Sequence, residues 1–229
     1  MKPILFNTEM VRAILDGRKT VTRRVIRWDK VDNALSCPAR RKNIEIPDDK
    51  IIERLCEAPY RMADILYVRE TFFREDCISD CGGRSDPDEC PFNRVGNSCY
   101  GYKAQYTTIT GEIKWHPSIH MPKEAARIFL RVQDVHVERV QEMSDIDAAK
   151  EGIRSYWSTP YDNDPPFIGR AKGIGNDLCF TRREAFGQIW DSTVKPSDRA
   201  LYGWDANPWV WVIDFERISR DEALKEGLK

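Results

Sequence analysis

Four cationic and two hydroxyl side chains fall within eight consecutive residues near the N-terminus, in the segment GRKTVTRR from Gly17 to Arg24. A lysine and a threonine at a turn can both approach one phosphate, carboxylate or amide group. If burial and neighbouring cations lower the pKa of Lys19, its neutral amine could take a proton from the Thr22 hydroxyl and make that hydroxyl a nucleophile. If Lys19 stays charged, it could instead hold a phosphate. A basic surface turn without a ligand is the simpler alternative.

The β-branched residues of this segment favour a strand. Alternate residues of a strand share a face, so Thr22 and Arg24 lie on one side and Lys19 and Arg23 on the other. Joint chemistry by Lys19 and Thr22 therefore requires a turn or bulge between them.

Glu151 is a second candidate, at the end of a helix predicted from Ile146 onward. Ser144 and Asp147 form an approximate capping box before that helix, and Gly152 suits its end. A carboxylate at a helix C-terminus opposes the helix dipole, and such local violations are expected at functional sites. A solvated surface glutamate is the alternative.

Tyr67, Arg69 and Glu70 form a third group, at the end of a strand predicted from Ile65. Tyr67 and Arg69 share a face and could stack on a base and contact its phosphate. Adjacent strand residues face opposite sides, so Arg69 and Glu70 cannot both enter one pocket. An ordinary cross-strand ion pair is the alternative.

Four of the seven cysteines fall within a loop-rich insertion at about 74–112, as Cys77, Cys81, Cys90 and Cys99. Four thiolates could close a tetrahedral zinc site that stabilises such a segment. Their spacing is wider than the C-x2-C pairs of most zinc knuckles, however. Reduced, unligated thiols and disulfides are the alternatives, although the odd cysteine count argues against a complete disulfide framework.

Short elements must position these groups. A helix is predicted from Asn7 or Thr8 to Asp16, because apolar residues follow at helical spacing and Gly17 suits its end. Thr181 caps another helix, whose inward stripe consists of Phe186, Ile189 and Trp190.

Strands are predicted from Ile128 and over Trp209 to Arg217. The apolar parity of the first changes after Asp134, which predicts a bulge or bend there. Residues 29–59 are polar and proline-containing, which predicts a long irregular connection, and residues 155–180 are predicted to form a long loop. The sequence shows no repeat and reads as a single domain over 1–229.

Composition limits the function classes. Lys plus Arg number 36 and Asp plus Glu number 37, so any anion site must be a local patch. No apolar run approaches the ~20 residues that span a bilayer, so we expect a soluble cytoplasmic protein without a membrane partner. The three histidines show no metal-ligand spacing in sequence, and the sequence identifies no protein partner.

The motif after the first helix, the segment from Asp64 to Glu70 and the terminal segment from Trp209 to Glu216 together resemble the ASCH domain family. That family is a branch of the PUA-like β-barrels associated with RNA and modified nucleosides. The layout is most similar to ASCH proteins of bacteriophages and prophages. The resemblance implies an α+β, mainly β, PUA-like barrel decorated by short helices and loop insertions, acting in a bacterial host cytoplasm.

The resemblance implies two functions and no required cofactor. One is binding of RNA or a modified nucleoside in a basic cleft formed by Arg18, Lys19, Arg23 and Arg24. The other is amide hydrolysis, since some short bacterial ASCH proteins deacetylate N4-acetylcytidine. By that resemblance Lys19 would accept a proton, Thr22 would be the nucleophile and Glu151 the proton donor. This chain is about twice as long as those enzymes, and a phage accessory or structural protein is a third reading.

Overall fold

The computed structural model describes residues 1–36, 46–76, 93–95, 98–106, 113–153 and 181–227. Within them the chain has an α+β architecture, which confirms the expected fold class at that level. The described helices are α1 (Thr8–Leu15), α2 (Trp28–Leu35), α3 (Asp48–Leu55), α4 (Asp145–Lys150), α5 (Arg182–Thr193), α6 (Arg199–Tyr202) and α7 (Arg220–Glu226). The described strands are β1 (Lys2–Leu5), β2 (Val21–Val25), β3 (Ile65–Arg69), β4 (Phe72–Asp76), β5 (Asn93–Val95), β6 (Ser98–Tyr102), β7 (Phe129–Arg139) and β8 (Trp209–Ile218).

The chain divides into two compact units. Unit 1 contains Met1–Gly17, Asp64–Arg131 and Glu216–Lys229, whereas unit 2 contains Arg18–Ala63 and Val132–Phe215.

Unit 1 contains a parallel and an antiparallel strand pairing. β1 runs parallel to β3, with Lys2 opposite Leu66, and β3 pairs antiparallel with the first residues of β7. A second, antiparallel sheet has the order β4-β6-β5. The core of this unit includes Ile65, Tyr102 and Phe129.

Unit 2 holds the cationic motif and is built on the strand order β7-β8-β2. β2 pairs antiparallel with β8, with Arg23 opposite Val212. Val212 packs in a core that also includes Phe186 and Trp190 of α5. The predicted capping box of α5 is confirmed, because Thr181 accepts a hydrogen bond from the Glu184 N–H.

The predicted irregular connection over 29–59 is wrong where the structure describes it. It begins within α2 and contains α3. Each helix buries a narrow apolar stripe, Val31 and Ala34 in α2 and Ile51 and Ile52 in α3. Each stripe is compatible with helical spacing, but the two segments are polar on average, and the surrounding prolines led the sequence to be interpreted as irregular.

The sequence predicted a bulge or bend after Asp134; β7 runs through this position as one strand, and the bulge stays a prediction. The shift in apolar parity itself is present: Leu130 and Val132 are buried before Asp134, and Val137 is buried after it.

Part of the predicted cysteine-rich insertion is regular structure. β6 is buried at every position, including Cys99, and it pairs with β4 and β5. Cys77, Cys81, Cys90 and residues 155–180 lie outside the described residues, and with them the predicted zinc site and long loop. No helix among the described residues is both long and apolar enough to cross a membrane.

Candidate functional site

Helix α4 places Glu151. The Ser144 hydroxyl accepts a hydrogen bond from the Asp147 N–H at 3.1 Å, and the Asp147 carboxylate accepts one from the Ser144 N–H at 3.0 Å. This capping box confirms the predicted helix start. The chain leaves the helix through Gly152, whose φ of 97° lies in the left-handed region that favours glycine. Glu151 therefore lies at the helix C-terminus, and only 5% of its surface is exposed.

A backbone contact brings Lys19 beside Glu151. The chain ends α1 through Gly17, with φ of 73°, and then enters an isolated antiparallel bridge between Lys19 and Glu151. The Thr20 N–H donates to the Lys150 carbonyl at 2.9 Å in the same contact. Two segments far apart in sequence are thus held together by main-chain groups.

The Lys19 ammonium group is directed at protein acceptors. Its Nζ donates to the Val21 carbonyl at 2.8 Å, to the Glu151 carbonyl at 3.3 Å and to Glu151 Oε2. An ammonium has three N–H donors, so these three contacts match its full donor set. Lys19 is 2% exposed. It therefore does not present its charge to a phosphate at the surface.

Arg23 extends this arrangement. Its Nε donates to Glu138 Oε1 at 2.7 Å and one of its terminal nitrogens donates to Glu151 Oε1 at 3.2 Å. Lys19, Glu151, Arg23 and Glu138 therefore form one chain of ion pairs, which we call the buried charge network. Glu138 was not singled out in the sequence. The one feature of the sequence that could have drawn attention to Glu138 is its position: it follows His136 by two residues and shares a strand face with His136 and Asp134.

Burial and charge act differently on the members of the network. Burial lowers the pKa of Lys19, and the nearby Arg24 and Arg23 lower it further, against an opposing effect of Glu151. Burial also disfavours the charged form of Arg23, but Glu151 and Glu138 outweigh it and raise that pKa. Burial raises the pKa of Glu138 against the effect of Arg23. Of the two cations in the network, Lys19 is therefore the one that loses its proton more readily.

Thr22 does not join the network. In β2 it lies opposite Ile213, whereas the adjacent Arg23 lies opposite Val212. Successive strand residues face opposite sides, so the side that carries Arg23 and its carboxylates is not the side of Thr22. The structure therefore brings Lys19 and Glu151 together, while Thr22 shares the face of Arg24, a residue close enough to Lys19 and Glu151 for their charges to interact. Thr22 is nevertheless buried, with an exposed fraction of 2%.

Arg18 and Arg24 are the partly exposed cations of the motif. A terminal nitrogen of Arg18 donates to the Gly152 carbonyl at 2.6 Å. This hydrogen bond holds the Arg18 side chain beside Glu151. Burial lowers the pKa of Arg24 against the effect of Glu151. Of the four predicted cleft cations, two are therefore paired in the interior and two are accessible in part.

Tyr67, Arg69 and Glu70 belong to unit 1. Glu70 is 1% exposed and accepts two hydrogen bonds from Arg127, at 2.9 and 3.0 Å. Arg69 donates to the Met121 carbonyl at 2.9 Å and to the Ile119 carbonyl. Tyr67 packs against the core. These contacts match the ion-pair alternative for Glu70, with Arg127 as a partner that the sequence did not reveal.

Two sets of side chains could hold a metal. The predicted cysteine set is described only at Cys99, which is buried in β6. A different set, which sequence spacing did not indicate, is formed by Asp134, His136 and Asp214 in unit 2.

Comparison with known proteins adds no assignment: no family model, no curated protein and no solved structure matches this chain.

Proposed function

We propose that this chain is an ASCH-type, PUA-like protein of phage origin that binds a modified nucleoside, free or within RNA, beside the buried charge network. The observation that carries the proposal is the fully buried Lys19, paired with a carboxylate that also holds Arg23. The resemblance in sequence supplies the ligand class. The geometry supplies a site of unusual electrostatics in the same residues.

Burying such a network in the protein interior carries a large desolvation cost. Desolvation of buried ions can exceed their mutual attraction, and well-packed apolar residues often stabilise a protein as well or better. Buried ionisable groups with shifted pKa values therefore point to functional sites. Lys19 meets that description, and it is paired with the buried Glu151.

The partly exposed guanidinium groups of Arg18 and Arg24 supply contacts for a ligand. Planar guanidinium groups match the oxygens of phosphates and base edges and can stack on bases. The carbonyl of Gly152, the residue after Glu151, accepts a hydrogen bond from Arg18 and holds it beside Glu151. We therefore assign ligand contact to Arg18 and Arg24, and positioning to Lys19, Arg23 and Glu151.

Amide hydrolysis is a second candidate, favoured by one observation. Burial lowers the pKa of Lys19, and Lys19 directly contacts Glu151, so a proton acceptor and a proton donor are already paired. Among the described residues, no hydrogen bond joins the Thr22 hydroxyl to Lys19 or Glu151, so this contact would have to form before Thr22 could act as nucleophile. Binding without hydrolysis therefore ranks first.

Titration calorimetry with N4-acetylcytidine, cytidine and single-stranded RNA tests binding. We expect Arg24→Ala and Glu151→Gln to weaken binding at least about tenfold, since each removes a charge-assisted contact. Glu57→Gln changes an exposed glutamate of unit 2 and serves as the control. A folded wild-type protein that binds none of the three at millimolar concentration would overturn the proposal.

Chromatography of the N4-acetylcytidine incubations separates the two candidates. Release of cytidine that disappears in Lys19→Met and persists in Lys150→Met would establish hydrolysis through Lys19. Release that also disappears in Thr22→Val would bring Thr22 into the reaction. Binding without release establishes the binding protein.

A further inference from the structure

Three potential metal ligands meet on two neighbouring strands of unit 2. Asp134 and His136 lie two residues apart on β7, so they share a face, and Asp214 lies on the adjacent strand β8. One ligand atom from each residue lies within 4.8 Å of the other two. None of these residues belongs to the buried charge network.

The donor set distinguishes this group from a patch of acidic residues. An imidazole nitrogen is a ligand that zinc and other first-row transition metals prefer, whereas calcium and magnesium favour oxygen alone. Three protein ligands also leave a position open, as in catalytic zinc sites. Bonds of about 2.0–2.2 Å place neighbouring ligand atoms about 3–4 Å apart, so small side-chain rotations can close the site.

His136 is already held by a carboxylate. Its Nδ1 lies 2.9 Å from Asp134 Oδ2. A hydrogen bond from one ring nitrogen to a carboxylate fixes the tautomer that offers the other nitrogen to a metal. Asp134 can therefore orient the ring, or turn and bind the metal itself.

A carboxylate oxygen of Asp214 lies within 4.8 Å of a carboxylate oxygen of Asp134 on the adjacent strand. Within the described part of the chain, no hydrogen bond reaches the Asp214 carboxylate. A divalent cation between the two aspartates would replace their repulsion with attraction.

We propose that Asp134, His136 and Asp214 bind a divalent first-row transition metal of the zinc class, through residues distinct from those assigned to the nucleoside site above. The same residues would bind Mg²⁺ and Ca²⁺ much more weakly, because one of the three donors is an imidazole.

Titration calorimetry of the metal-free full chain with Zn²⁺ tests the site. We expect His136→Ala and Asp214→Asn each to weaken one binding event at least about tenfold. His120→Ala and Asp205→Asn change exposed residues of the same types and should leave that event unchanged. Far-ultraviolet circular dichroism verifies that each variant is folded.

Cobalt distinguishes this site from the cysteines. Co²⁺ bound to imidazole and carboxylate lacks the intense thiolate charge-transfer absorption of a cysteine site. Binding without that absorption, lost in His136→Ala, supports the proposal. Binding that keeps its affinity in His136→Ala and Asp214→Asn, or that shows only the thiolate absorption, overturns it, as does a wild-type protein that binds no metal.

Discussion

At the scale of single residues, Glu151 is the member of the network on which two cations depend. Lys19 binds one of its carboxylate oxygens and Arg23 the other. Removing one partner of a buried pair leaves a charge without full compensation, and this costs more than the pair itself contributed.

Lys19→Met should therefore lower the free energy of unfolding by about 3 kcal/mol, at the lower end of the range for buried pairs because Arg23 remains beside Glu151. The double variant Lys19→Met/Glu151→Gln should be less destabilised than the sum of the two single variants, because no uncompensated charge remains. Urea denaturation measures all three. The control, Lys150→Met, removes an exposed lysine and should change stability little; an equal loss there would contradict the special role of Lys19.

Lys19 should also make stability depend on alkaline pH. Its pKa is lowered in the folded protein from 10.5, so between that lowered value and 10.5 the unfolded chain binds more protons than the folded chain. Stability contributed by this position then rises with pH through that window, is complete above 10.5, and is lost as pH falls through the folded pKa. The measurement is the difference in unfolding free energy between wild type and Lys19→Met across that window. A difference that stays constant, or falls as pH rises, would show that the pKa of Lys19 is not lowered.

Part of this site could be predicted from the sequence. Residue types and the ASCH resemblance singled out Lys19 and Glu151, and the structure places them in contact. Strand alternation predicted that joint action by Lys19 and Thr22 requires a turn or bulge between them, and Lys19 lies before β2, in an isolated bridge. Glu138 and Arg127 were missed, because the partner of a buried charge is chosen by tertiary contact and leaves no mark in local sequence.

At the scale of elements, the sequence predicted those features that depend on interactions between neighbouring residues, such as helix caps. Asn7 accepts a hydrogen bond from the Met10 N–H and begins α1 where the sequence predicted a helix start. The capping boxes of α4 and α5 were also predicted. The pairing of β2 with β8 could not be, since it joins segments about 190 residues apart and depends on cores formed only in the folded state.

Substitutions of Gly17 test the role of the turn that ends α1. The φ of 73° at Gly17 is unfavourable for other residues, but a Cβ added there would meet no atom within 4 Å. The cost of Gly17→Ala is therefore conformational only, about 1–2 kcal/mol, and Gly17→Asn should cost less because asparagine tolerates this region. Thermal unfolding measures both. Equal losses in the two variants would mean that the turn responds to something other than φ.

At the scale of the whole molecule, the near balance of 36 basic and 37 acidic residues predicts weak dependence of RNA binding on salt. Only Arg18 and Arg24 of the motif are accessible, so about two phosphates would be neutralised. The logarithm of the binding constant for single-stranded RNA should then fall with the logarithm of salt concentration with a slope of about −1.4.

Fluorescence anisotropy across a salt series measures this slope. Arg24→Ala should reduce it by about half, since one phosphate contact is lost. A slope steeper than about −4 would require a larger basic surface than the motif supplies and would place the RNA elsewhere.

Glu151 follows Lys19 by 132 residues, and this separation has a consequence for the protein while it is being made. At about 5–20 residues per second, the ribosome adds the lysine roughly 7–26 s before it adds the glutamate. Throughout that interval the N-terminal cations have no interior to enter and must stay hydrated. The nascent chain should therefore attract polyanions more strongly than the finished protein, in which Lys19 and Arg23 are enclosed.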